Sequence, residues 1–301
     1  MTLKAAVTKL NERMDALFAK RSGLVSVWQE IAEHFFPERA DFTTIRRGST
    51  MFDLAGMMTS VPALIRRDLG NTLSAMLRPR GQEWFRIRTS EDKVNEDPAA
   101  KQWLDWATDV QRKVLYDKRA HFVRATKEGD HDFASFGQCV LSIDVNDERD
   151  GLLYRCWHLR DVAWMENASL DIDTVARNWK VQARSLVKLF PDKVDGRVRE
   201  LAEKEPFKEI KCRHIVVPAD EWQISDEKFK ARKGFPFVSL YVDCDNQTLL
   251  EETPRRRLGY IIPRWQTVSG SQYAHGPAYV GMADARLLQQ MTLTLLEAGQ
   301  K

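Results

Sequence analysis

The 301-residue sequence contains no apolar run approaching the roughly 20 residues that span a bilayer, so no membrane helix is predicted. No export leader is predicted either. Met1 to Lys9 carries lysines, but no apolar core and no small-residue cleavage site. Cysteine is scarce. Cys139, Cys156, Cys212 and Cys244 form no CxxC pair, which excludes zinc-knuckle and thioredoxin-type motifs and predicts free, mostly buried thiols in a reduced compartment. With 15 Gly and 11 Pro the chain is neither collagen-like nor of low complexity. An excess of one charge is missing too. Forty-six Lys and Arg against 43 Asp and Glu leave +3, so any charge-driven partner must be met by a local patch. There is no phosphate-binding GxxxxGK[ST] loop, no GxGxxG, no GxSxG and no HExxH.

What is present is core-forming material. Hydrophobic residues make up 43% and aromatics 10%, which argues against disorder as the main state. A chain of this length buries roughly three quarters of its unfolded surface, as one large domain or two ordinary ones. Leu3, Val7, Leu10, Met14 and Leu17 recur at helical spacing, broken at Ser22-Gly23. Leu24, Val27, Trp28, Ile31 and Phe35 form a second stripe, stopped by Pro37.

The spacing next predicts one helix from Met57 to Leu77, with Met57, Val61, Leu64, Ile65, Leu73 and Met76 buried. Trp84 to Arg88 alternates like a short strand. Asp97-Pro98 starts a helix, and Phe122 to Phe136 forms another, ended by Gly137. From Gln138 the pattern changes to short β-like runs at 139–145, 152–158, 162–166, 172–179, 210–217, 235–243 and 258–265. A helix from Ala183 to about Glu203 interrupts them, and a last helix covers 277–298. This order predicts an α+β fold: a mainly helical part at 1–137, a mainly antiparallel β part at 138–272, and the start of a long helix at 273–301. Val280, Leu287, Leu288, Met291, Leu293, Leu295 and Leu296 occupy more than half of that last helix's circumference, which predicts apolar surface in excess of what one chain covers.

Few residues suggest chemistry. Glu128-Gly129-Asp130-His131-Asp132 is the one cluster of acidic residues and histidine, and Asp130, His131 and Asp132 could seed a metal-dependent hydrolase. The plainer reading is a solvated helix face. No catalytic, cofactor or metal residue is otherwise predicted, and the chain is not expected to be an enzyme. Arginines are more suggestive, because guanidinium grips phosphate and carboxylate in bidentate fashion. Arg46, Arg47, Arg66, Arg67, Arg78, Arg80, Arg255, Arg256 and Arg257 are the candidate contacts to DNA backbone or to a neighbouring subunit. The nine Trp sit mostly on apolar stripes, as core or interface residues.

Several blocks, in order, carry a resemblance. They are Trp28 to Glu33 with Phe36-Pro37; Phe52-Asp53 through Leu69, Arg78-Pro79-Arg80 and Trp84-Phe85; and Phe133 to Leu141. Asp173 to Arg177, His214 to Pro218, Pro263-Arg264-Trp265 and Tyr273 to Ala278 follow. Together they resemble the portal, or head-to-tail connector, proteins of short-tailed bacteriophages. Where that family has a tyr-gly-arg-gly-pro run, this chain has Tyr273-Ala274-His275-Gly276-Pro277. The resemblance implies a wing-like part of a portal, with the stem, clip and crown absent from these residues. It implies a homo-oligomeric ring, twelvefold when complete, at one capsid vertex of the virion. Its partners would be the large terminase subunit, capsid and scaffold proteins, tail adaptors and double-stranded DNA in the channel. Assembly would take place in the host bacterial cytoplasm, with no membrane involved and no cofactor.

Overall fold

The computed structural model describes residues 2–43, 57–79, 81–146, 148–222 and 234–300. In chain order the helices are α1 (Leu3–Lys20), α2 (Ser22–Phe35), α3 (Val61–Leu77), α4 (Asp92–Glu96), α5 (Pro98–Leu115), α6 (Phe122–Phe136), α7 (Ala183–Leu189), α8 (Gly196–Lys204), α9 (Pro277–Val280) and α10 (Met282–Gly299). The strands are β1 (Val140–Val145), β2 (Leu152–Trp157), β3 (Val162–Glu166), β4 (Ile172–Gln182), β5 (Glu209–Pro218), β6 (Phe237–Asp243), β7 (Thr248–Arg255) and β8 (Tyr260–Ile261). Helices and two antiparallel sheets make this an α+β fold. The chain forms two compact units, neither contiguous: Met1–Val25 with His158–Leu258, and Ser26–Trp157 with Gly259–Lys301.

In the first unit, β3 to β7 form a five-stranded antiparallel meander in sequence order. Alternation along β5 sends Ile210 and Cys212 to one face and Ile215 and Val217 to the other. α1 covers the second face with Val7, Leu10, Met14 and Leu17, the stripe that helical spacing predicts. α7 and α8 cover the first face with Leu186 and Val198. These two helices replace the single helix expected over 183–203. The chain leaves α7 at Phe190-Pro191 and re-enters helix at Gly196, where Asp195 caps the first turn by accepting from Arg197 N at 2.9 Å. β7 is a strand that sequence patterning missed. Thr248 to Arg255 is rich in charge and contains Pro254, which is tolerated because β7 lies at the sheet edge, bonded among the described strands only to β6.

In the second unit, β2, β1 and β8 form a three-stranded antiparallel sheet against which α6 packs, and α3 packs on α6. α6 ends as expected at Gly137, whose φ of +72° is a left-handed cap. α5 begins as expected, with Asp97 accepting from Ala100 N at 2.9 Å and Pro98 in the first turn. The strand expected at Trp84 to Arg88 does not form. Among the described residues the segment has no partner strand, and Ile87 N donates to Thr108 Oγ1 of α5 instead, at 3.1 Å.

The expectation for Met57 to Leu77 needs a larger correction. α3 starts at Val61, so Met57 precedes it, and its apolar stripe faces outward. Ile65 is 62% exposed and Met76 76%, whereas Pro62, Arg66 and Gly70 are buried. The reason is close approach to α6. A Cβ on Gly70 would fall 2.3 Å from His131 Nδ1, so the contacting face of α3 must carry a residue without a side chain there.

Candidate functional site

The cluster Asp130-His131-Asp132 lies in the last two turns of α6, and each of its three side chains meets an arginine. Arg39, in the 3-10 turn Pro37–Arg39, forks onto Asp132, with Nε 3.0 Å from Oδ1 and Nη2 2.7 Å from Oδ2. Burial alone would lower the Arg39 pKa. The charge and hydrogen bonds of Asp132 outweigh it and hold the guanidinium above its ordinary value. Arg66 donates from Nε to the Phe35 carbonyl at 3.1 Å and from Nη1 towards His131 Nδ1 at 3.2 Å. Its guanidinium lies 3.8 Å from the centre of the Phe36 ring. Burial lowers the Arg66 pKa, and burial followed by the Arg66 charge lowers that of His131, which therefore accepts as neutral imidazole. Arg78, the residue that ends α3, pairs with Asp130.

This geometry gives the cluster its role. Asp132 is fully buried and Asp130 nearly so, each held by a guanidinium, and the array ties α3 and the turn after α2 to α6. Among the described residues no group of three or more His, Cys, Asp or Glu is placed to hold a metal ion. Arg39 is the member that sequence reading missed. It stands 93 residues from Asp132, and nothing local marks the pairing.

The nine candidate arginines meet different fates. Arg46, Arg47 and Arg80 lie outside the described residues. Arg66 is buried and Arg78 mostly so, both engaged within their unit, while Arg67 is exposed beside Asp68. Arg255, Arg256 and Arg257 belong to the other unit, at the end of β7. Arg255 is half-buried, Arg256 stacks 5.4 Å from the Phe235 ring centre, and Arg257 is exposed.

Two apolar faces of the second unit stay uncovered. On α10 only Met282, Ala285 and Gln289 are buried. Gln289 pins the helix to the segment before α3 by accepting from Met58 N and Thr59 N at 2.7 and 3.0 Å. Leu287, Leu288, Met291, Leu295 (70% exposed) and Leu296 face outward, the excess that the sequence pattern predicts. The outward stripe of α3 is the second face. Trp103 and Trp106 on α5, 61% and 60% exposed, add a further apolar patch, where sequence reading expected core or interface.

Within the second unit, four of the blocks that carry the sequence resemblance meet in space. Trp28 packs edge-on to Tyr273 with ring centres 5.9 Å apart, and Phe133 lies 5.2 Å from Trp265. Trp265 N donates to the Gly137 carbonyl at 2.7 Å, and Ala274 N donates to Gln138 Oε1 at 2.9 Å. Gly137 and Gly276 touch main chain to main chain, leaving no room for a Cβ on either. In the other unit, Arg177 and His214 face each other across β4 and β5.

The family model for "Bacteriophage head to tail connecting protein" matches residues 7–301. A curated relative, a "Probable portal protein" of Bordetella phage BPP-1, is 22% identical over 294 residues, covering 96% of this chain and 52% of that protein. The chain thus spans about half the length of that relative. A match over almost the whole chain means that the chain belongs to the bacteriophage head to tail connecting protein family.

Proposed function

We propose that this chain is the wing-like part of a portal subunit that joins copies of itself head-to-tail into a ring at one capsid vertex of the virion. DNA enters through that ring during packaging and leaves on infection, and the ring docks the large terminase subunit, then the tail adaptors. The observation that carries the reading, beside family membership, is the uncovered aliphatic face of α10. Burying one Leu or Met side chain is worth about 1.5–3 kcal/mol, so a neighbouring subunit that covers several of these residues gains a substantial association energy. A ring closes by rotation through two unlike patches on each subunit, and the outward faces of α10 and α3 supply such patches. The α3 face is held in place by Arg78, which ties the end of α3 to Asp130 of α6.

The test is sedimentation velocity across a hundredfold range of concentration, followed by negative-stain microscopy. The expected result is a high-mass species with annular images. A Met291→Glu/Leu295→Glu variant is expected to stay folded by circular dichroism and to sediment as a monomer. Self-association unchanged in that variant would remove α10 from the interface. A parent chain that is monomeric throughout would overturn the proposal for these residues.

A further inference from the structure

A cleft of about 420 Å³ opens in the second unit between the C-terminal half of α3 and the start of α6. Its polar lining combines two cationic side chains with neutral groups that can donate. Asn71, Ser74, Arg78, Tyr116 and Lys127 face it, Phe122 adds an apolar wall, and among the described residues no Asp or Glu lines it. Arg78 spends part of its guanidinium on Asp130, which stands behind it. A guanidinium carries five N–H donors, so this pairing leaves others for a ligand. Tyr116 accepts from the Trp84 indole N–H at 3.0 Å, which orients the phenol and leaves its own proton to donate. The Lys127 ammonium is exposed at the rim. The end of α3 brings a partial negative charge and the start of α6 a partial positive one. These oppose each other, so the side chains decide the sign of the cleft.

We infer that this cleft binds a phosphate ester, with the phosphate held by Lys127 and Arg78, assisted by Ser74 and Asn71, and the remainder of the ligand lying against Tyr116 and Phe122. The volume is in the range of small-ligand sites and holds a group of nucleotide size. A lining with two cationic side chains, neutral donors beside them and no carboxylate suits a phosphate, whose oxygens all accept, and disfavours a cation. The phosphate could belong to a free nucleotide or to a nucleic-acid backbone, and the two sources are separable. The site does not depend on ring formation.

The experiment is isothermal titration of the chain with inorganic phosphate, with a nucleoside monophosphate and with a short DNA duplex, at two salt concentrations. Lys127→Gln and Ser74→Ala are the test variants, and Lys101→Gln, on the exposed surface of α5, is the control. The expected result is saturable binding of one phosphate ester per chain. Lys127→Gln should weaken it roughly tenfold or more, and Ser74→Ala by less, as loss of a charged and a neutral hydrogen bond implies. Lys101→Gln should leave it unchanged. A monophosphate that binds more tightly than the duplex assigns the site to free nucleotide, and the reverse assigns it to backbone. Absence of saturable binding by all three ligands would overturn the inference, as would equal weakening by Lys127→Gln and Lys101→Gln. Circular dichroism of each variant confirms that it is folded.

Discussion

Replacing Gly276 with alanine tests whether the meeting of the two family blocks holds the second unit together. Gly276 has φ −100° and ψ 173°, which alanine adopts without penalty, so any effect is steric. The added Cβ would lie 2.3 Å from Gly137 N and 2.9 Å from both Gly137 Cα and the Phe136 carbonyl carbon. Ordinary contacts between non-bonded heavy atoms are about 3.5–4 Å, so the two backbones must part by about 1 Å. Neither side can escape by changing rotamer, because both are main chain. The movement also pulls on the Trp265 N to Gly137 O bond at 2.7 Å and the Ala274 N to Gln138 Oε1 bond at 2.9 Å. Overpacking costs about 1–3 kcal/mol and one weakened buried hydrogen bond about 1 kcal/mol, for a total of about 2–4 kcal/mol. Gly137→Ala should cost about 1 kcal/mol more, since its φ is +72°. The double variant should cost less than the sum, because backbones already parted admit the second methyl. Urea denaturation measures the loss, and hydrogen exchange at Phe133 to Leu141 localises it. Gly23→Ala, with no atom within 4 Å of the new Cβ, is the control and should be neutral or slightly stabilising. A Gly276→Ala variant within about 0.5 kcal/mol of the parent would refute the reasoning.

Asp132→Asn should destabilise the second unit by about 3 kcal/mol, since it leaves the Arg39 guanidinium without its carboxylate; chemical denaturation measures it, and a loss below about 1 kcal/mol would contradict a structural role for this pair. His214 is fully buried beside Ser239 and stacked on Tyr241, and burial, with Arg177 and Arg255 nearby, depresses its pKa well below 6.5. The unfolded chain therefore binds the proton more readily, so stability is fully present above about pH 6.5 and falls as the pH drops towards the folded-state value. His214→Gln should flatten that slope in denaturation curves between pH 7 and 5, and an unchanged slope would exclude His214 as its source. Burial raises the pKa of the thiols of Cys139, Cys156 and Cys212, and that of Cys244 to about 11. Native protein at pH 8 should accordingly react slowly with a thiol reagent, and urea should expose all four; rapid labelling of the native chain would count against the packing around them.

The sequence by itself determined most of the local structure and the family. Capping and termination are local matters: Asp97-Pro98 starts α5, Gly137 ends α6, and Pro37 follows the end of α2, each within a turn of the residue that signals it. Alternating apolar runs likewise marked six of the eight described strands closely, and the ordered blocks pointed to the head-to-tail connectors before any packing was known. Tertiary structure decided what depends on a distant partner. Trp84 to Arg88 has the alternation of a strand but, among the described residues, no neighbouring strand, while β7 lacks the pattern and forms because β6 offers an edge. The apolar stripe of α3 reads as a core face, yet Pro62, Arg66 and Gly70 are buried instead, because α6 comes too close at Gly70 for a side chain and Arg66 finds buried partners in the Phe35 carbonyl and His131. Asp130 and Asp132 look like possible metal ligands until Arg78 and Arg39 arrive from 52 and 93 residues away. Helical periodicity tells which residues share a face, but which face is buried depends on the shape and charge of whatever packs there, and that is settled only when remote segments meet.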